Sequence, residues 1–265
     1  MNVLIVFSHP ERNSLNGSLL DAAITELQAE GHEVEVSDLY AMRWKAAADR
    51  DDFQDQPMDE RLRVASASSR AFTQDSLTDD VKAEQDKLRW ADTVILQFPL
   101  WWFSMPAILK GWVDRVYACG FAYGVGEHSD RRWGDRYGEG LMAGKRAMLI
   151  VTAGGWPEHY SERGINGQID DLLFPINHGI LFYPGFTVLP AFLAYRVDRL
   201  DEAGFGAVAD RLRERMRTLE MTPPIAYRQQ NGGDYLIPAM TLKPGLEPPG
   251  AVRFALHVAP QETLA

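Results

Sequence analysis

Residues 1–31 read MNVLIVFSHPERNSLNGSLLDAAITELQAEG. Asn2 to Phe7 is a short, largely β-branched apolar run, the pattern of a strand buried on both faces. A polar loop, Ser8 to Asn16, follows. From Gly17 to Glu30, apolar residues recur at Leu19, Leu20, Ala23, Ile24 and Leu27, which is helical spacing, and Gly31 is a stop signal. A buried strand, a polar loop and an amphipathic helix make one unit of an α/β protein.

The rest of the chain repeats the unit. Val34 to Val36 reads as a second strand, and Ala41 to Thr78 as a polar excursion without clear elements. A helix begins at Asp79 or Asp80, with acids in its first turn and Lys87 and Arg89 in its last. Thr93 to Phe98 is a strand ended by Pro99, and Pro106 opens a helix to about Tyr117. Gly120 to Gly144 holds seven glycines and reads as loop. Ala147 to Thr152 is a strand, Ile165 to Gly179 includes a helix, and Phe186 to Leu193 is the last central strand. Asp201 to Leu219 is helical, with Phe205, Val208, Leu212 and Met216 on one face. Beyond Met221, Pro and Gly dominate, which predicts an extended arm. The expected organisation is a domain over 1–220 and an extension over 221–265 that packs on the domain or on a dimer partner.

Composition removes several function classes. A formal charge of −10 does not suit nucleic acid, which needs clustered Lys and Arg. No apolar run approaches the roughly 18 residues of a membrane span, and the opening residues lack the basic flank of a signal peptide. Cys119 is the only cysteine, so there is no internal disulfide, and a reducing cytoplasm is the expected location. The histidines show no paired ligand spacing, so no metal is expected, and no Gly-X-Ser-X-Gly elbow marks a hydrolase.

Alternating strands and helices predict a parallel sheet with helices on both faces, and such sheets bind ligands beyond the carboxyl ends of their strands. Three loops lie there. In the first, Ser8–Asn16, the amides of Leu15 and Asn16 and the Ser14 hydroxyl sit at a helix N-terminus that favours an anion. Equally, Asn13 or Ser14 simply caps the helix and His9 is a surface residue. The second, Pro99–Met105, puts Leu100, Trp101, Trp102 and Phe103 directly after a buried strand. That is an aromatic shelf suited to a flat ring system, although one or two of these rings also serve a core or dimer interface. The third, Ala153–Asn166, brings Gly154 and Gly155, which admit close backbone approach, with Trp156, His159, Tyr160 and Asn166. A tyrosine there is ordinary by itself, and it also has the right chemistry to stabilise charge on a reduced ring.

With these segments the chain resembles the NAD(P)H:quinone oxidoreductases, the DT-diaphorase-like branch of the flavodoxin-like superfamily. The matching stretches are SHPERNSLN (8–16), SDLYAM (37–42), QFPLWWFSMPAILKGWVDRV (97–116), GFAYG (120–124), TAGG (152–155), FPINHGILFYPGF (174–186) and GAVRFALHV (250–258). The resemblance implies a five-stranded flavodoxin-like sheet and a homodimer with FAD rather than FMN, because FMN-binding azoreductases lack such an arm. It also implies a ping-pong reaction in which NAD(P)H and a quinone-like acceptor use one pocket. Carried over, His9, Ser14, Leu15 and Asn16 contact the cofactor. So do Pro99, Leu100, Trp101, Trp102 and Phe103, and Thr152, Ala153, Gly154 and Gly155. Tyr160 and Asn166 hold the catalytic positions. Tyr123, with Trp102 and Phe103, walls the substrate pocket. The chain departs from the family in three ways: Trp101 replaces a glutamine, Asn166 replaces a catalytic histidine, and no glutamine near Arg63 meets the adenine. Asparagine donates a hydrogen bond but takes up no proton near neutral pH. The alternatives are an FMN-dependent azoreductase- or nitroreductase-like enzyme, and an ancillary subunit of a potassium-efflux system.

Overall fold

A computed structural model describes residues 1–260. Strand β1 (Asn2–Phe7) leads into helix α1 (Leu15–Ala29) and strand β2 (Glu33–Asp38). Helices α2 (Val64–Thr73) and α3 (Asp79–Trp90), strand β3 (Thr93–Pro99), helix α4 (Ala107–Val116) and strand β4 (Arg146–Ala153) follow. Then come α5 (Ile169–Ile176), β5 (Thr187–Val188), β6 (Phe192–Tyr195), α6 (Glu202–Arg217) and a small hairpin, β7 (Tyr235–Leu236) and β8 (Thr241–Leu242).

The main sheet is parallel, in the order β2-β1-β3-β4-β5, with β6 also on β4. This is the flavodoxin-like order, with its switch point between β1 and β3. Strand periodicity divides the core. Leu4 and Val6 face one side with Leu88, Leu109 and Trp112, under α3 and α4. Val3, Ile5 and Phe7 face the other with Leu19, Leu27, Leu212 and Met216, under α1 and α6.

Three expectations change. The expected last strand splits into β5 on Arg146–Ala147 and β6 on Ile150–Ala153, because Pro190 between them has no amide for the ladder. The polar excursion contains α2, a short helix of small and polar residues (VASASSRAFT) that buries only Ala67, Ser68 and Ala71. It also contains Asp52, buried against Arg115 of α4 at 2.9 Å. The arm is folded rather than extended. The Ile225 amide donates to Val188 O at 2.8 Å, and Arg228 N to His257 O at 2.9 Å. Gln230 reaches the Trp133 carbonyl of the Gly-rich loop at 3.2 Å. Among the described residues no helix is long and apolar enough to cross a membrane.

Candidate functional site

The three suspect loops leave the carboxyl ends of β1, β3 and β4, and side chains buried in the strands knit them together. Asn16 donates through Nδ2 to Thr152 Oγ1 at 2.7 Å. Gln97 donates through Nε2 to the Asn16 carbonyl at 2.7 Å, and the Leu100 amide to the Thr152 carbonyl at 2.8 Å. Gln97 escaped the reading by motif. Its signal is an amide within the apolar run TVILQFP, where a polar residue needs a partner.

The first loop ends as an anion cradle. Ser14 caps α1, its hydroxyl accepting from Gly17 N at 3.2 Å, which leaves the Leu15 and Asn16 amides without intrahelical acceptors. Gly17 is needed here, because a Cβ would lie 1.8 Å from the Arg12 carbonyl oxygen. The Glu11 backbone engages His9 Nδ1 at 2.9 and 3.1 Å and leaves Nε2 to the outside; the ring lies 6.2 Å from that of Trp101.

The second loop is a tight turn closed by reciprocal bonds between Trp101 and Ser104, both 3.0 Å. Its two central residues, Trp102 (φ 50°) and Phe103 (φ 63°), are left-handed without being glycine. Burial does not compensate this strain, since Trp102 is 95% exposed and Trp101 and Phe103 are 41% and 48% exposed. Bulky rings held outward by an unfavourable backbone mark a surface shaped for a partner or ligand.

In the third loop a short 3-10 turn, Pro157–Tyr160, buries Tyr160 against Gly155. A Cβ at Gly155 would stand 2.9 Å from Tyr160 Cε2 and 3.2 Å from its hydroxyl, so only glycine lets the phenol reach this backbone. Tyr195 backs the Tyr160 ring at 5.6 Å, and burial raises the Tyr195 pKa. The Arg196 amide donates to Gly155 O at 3.0 Å, and its guanidinium lies 3.7 Å over Trp156. Tyr195 and Arg196 come from the end of β6 and had no motif to reveal them. Asn166 joins the loop through its amide, which donates to the His159 carbonyl at 3.0 Å.

Most predicted site residues therefore meet along one edge, including Pro99 and Ala153 at the strand ends. Tyr123 does not. It lies after α4 against Ser68 of α2, and its pKa is raised chiefly by burial.

The edge has the chemistry of a flavin site. Ser8 Oγ, Asn16 Oδ1 and Gln97 Oε1 are buried there without a partner among the described residues. Free amides stand at the α1 N-terminus, a glycine-lined backbone at Gly154 and Gly155, and an aromatic turn between them. These residues fit a phosphate-bearing, planar, hydrogen-bonding ring.

The comparisons agree with this class. A flavodoxin-like fold family model matches residues 1–216. The chain is 40% identical over 224 residues to human ribosyldihydronicotinamide dehydrogenase [quinone], covering 84% of this chain and 94% of that protein. It is 61% identical over 257 residues to a ribosyldihydronicotinamide dehydrogenase-like protein of Penicillium crustosum, covering 97% and 95%. A crystallised candidate quinone reductase from Klebsiella pneumoniae superposes with a TM-score of 0.95 at 63% identity, covering 98% of this chain and all of that one. Within the flavodoxin-like class, this chain belongs to the NAD(P)H:quinone oxidoreductase family.

Proposed function

We propose that this protein is a flavin-dependent NAD(P)H:quinone reductase that holds FAD and works as a homodimer. The observation that carries the reading is the convergence of the three loops through Asn16, Gln97, Leu100 and Thr152, under an outward aromatic turn. A flavin held by these loops would supply two-electron hydride chemistry between nicotinamide and quinone, in two half-reactions sharing one pocket.

The chain's own residues do the positioning. The α1 amides and Ser14 hold the phosphates. Leu100, Trp101, Trp102 and Phe103 seat one side of the ring, and Thr152, Ala153, Gly154 and Gly155 the other. Tyr160 donates to the ring where negative charge develops, and Asn166 adds a second donor without a titratable proton. With asparagine at 166, proton delivery falls to Tyr160 or to water. Tyr123 walls the pocket of the partner subunit, in keeping with its place outside its own chain's loop cluster. The body, 1–220, carries the cofactor, and the arm, 221–265, supports the domain or the dimer. FAD is favoured over FMN by the long arm, and similarity to the Penicillium and Klebsiella proteins extends through nearly the whole chain, arm included.

The test is to purify the full chain and identify the flavin released by heat. NADH, NADPH and ribosyldihydronicotinamide are then assayed as donors to a panel of quinones; the last is included because of the relatives' names. FAD and quinone-dependent oxidation of a nicotinamide are expected. Released FMN moves the protein to the azoreductase-like reading. A colourless chain that takes up no flavin overturns the enzymatic reading.

A further inference from the structure

The flavin site leaves unused the ground between the arm, α5 and the Gly-rich loop. A cavity of about 310 Å³ lies there, and none of its lining residues belongs to the three loops of the flavin site. Its volume is that of a small-molecule site.

Rings form its walls. Phe174 stacks on His178 at 4.5 Å and 13° and on Phe254 at 4.3 Å and 11°, and Tyr137 stacks on His178 at 4.7 Å. Beside them, Tyr235 stacks on His257, itself 5.8 Å from His178, and its hydroxyl meets His257 Nδ1 at 2.9 Å. The backbone is bent to present these groups. Past Pro175 inside the helix, α5 widens into a π-helical turn, Asn177–Phe182, which carries His178. Tyr137, Met240 and Arg253 are left-handed, at φ 52°, 54° and 55°, without being glycine. Such turns and such strain concentrate at functional sites.

The charge is one-sided. Arg228 is paired with Asp234 at 2.5 Å. Arg136, by contrast, has no carboxylate within ion-pair distance among the described residues. Its Nε donates to Gln230 Oε1 at 2.5 Å, and a terminal nitrogen lies 3.4 Å from the Tyr183 hydroxyl. No Asp or Glu is among the described residues lining the cavity. Burial pushes His178 down to about 4 and lowers His257, so both are neutral at pH 7. A guanidinium without a carboxylate partner among the described residues, beside an aromatic wall in a chain of net charge −10, is a local exception to the acidic whole.

We propose that this cavity is a second ligand site, separate from the flavin site, for a planar aromatic anion such as an aryl carboxylate. Its ring packs against the edges of the continuous Tyr137, His178, Phe174 and Phe254 stack, and its acid group meets Arg136. The inference does not rest on the flavin reading, because no residue is shared.

Calorimetric titration of the purified full chain with 2-naphthoate tests it, with 2-naphthalenemethanol as the uncharged counterpart. Saturable binding of naphthoate is expected, at least tenfold tighter than the alcohol and weakened at least tenfold by Arg136→Gln. Phe254→Ala, at a half-exposed ring of the arm, should weaken it several-fold and decides the matter if the arginine variant does not fold. Trp102→Ala, which damages the flavin site, should leave it unchanged. Equal affinity for the alcohol, indifference to both cavity variants, loss in Trp102→Ala, or no binding at millimolar naphthoate each overturns the proposal.

Discussion

In the proposed function Tyr160 is the residue on which hydride chemistry turns, and Gly155 is what would let it. The phenol lies against a backbone that any side chain would push away. Tyr160→Phe removes one donor from the place where charge develops. A donor of this kind contributes about a hundred- to a thousand-fold in rate. The reductive half-reaction followed by stopped-flow absorbance should slow by that order while flavin stays bound; an unchanged rate removes the role assigned to Tyr160. At this scale, local motifs were readable. Ser14 as a cap and the glycine pair were visible in the sequence because their function is local. Gln97 was visible only as an oddity, and Tyr195 and Arg196 not at all, since their contacts with Tyr160 and Trp156 join segments about 35 to 40 residues apart.

The turn at Trp101–Ser104 concentrates backbone strain in one element. Two left-handed, non-glycine residues each carry strain of about 1 kcal/mol or more. Trp102→Gly should therefore raise stability by about 1 kcal/mol in urea unfolding while weakening flavin retention. Lower stability with full flavin retention contradicts both parts. The excursion from Ala41 to Thr78 is held differently. Arg115, almost wholly buried in α4, is shared between Asp52 at 2.9 Å and Asp80 at 2.7 Å, and Lys45 joins Asp52 at 3.2 Å. Asp52→Ala leaves that guanidinium half-compensated and should cost about 3 kcal/mol, checked by the same denaturation; a loss under 1 kcal/mol means the network does not anchor the segment. Such a segment looks structureless in sequence because its order comes from a buried charge cluster and from scattered apolar anchors, Trp44, Phe53, Ala67, Ala71 and Leu77, rather than from one periodic run.

Across the whole molecule, the arm closes over the Gly-rich loop and the end of α5. Deleting residues after Met221 uncovers Val188 O, Tyr137 and His178. The truncated chain should lose dimer or flavin, measured by light scattering and absorbance. An intact flavinated dimer would show the arm to be dispensable. The same docking makes stability pH-dependent. His178 is held neutral, first by burial and then by nearby His257, with its pKa down from 6.5 to about 4. As pH falls through this window the unfolded chain binds a proton that the native chain refuses. Its contribution is thus full above pH 6.5 and lost progressively towards pH 4. Urea midpoints at pH 7.5 and 5 should differ, and His178→Gln should narrow the difference; equal midpoints in the native sequence contradict the argument. The sequence by itself determined the layered α/β order, the parallel sheet and the three edge loops, because periodicity and turn chemistry act over a few residues. Only tertiary structure decided the split last strand, the left-handed aromatic turn, the folded arm and the ring-lined cavity beneath it. The folded arm and the cavity depend on groups far apart in the chain, and the aromatic turn holds a backbone strain that burial within the chain does not repay; no local pattern selects either.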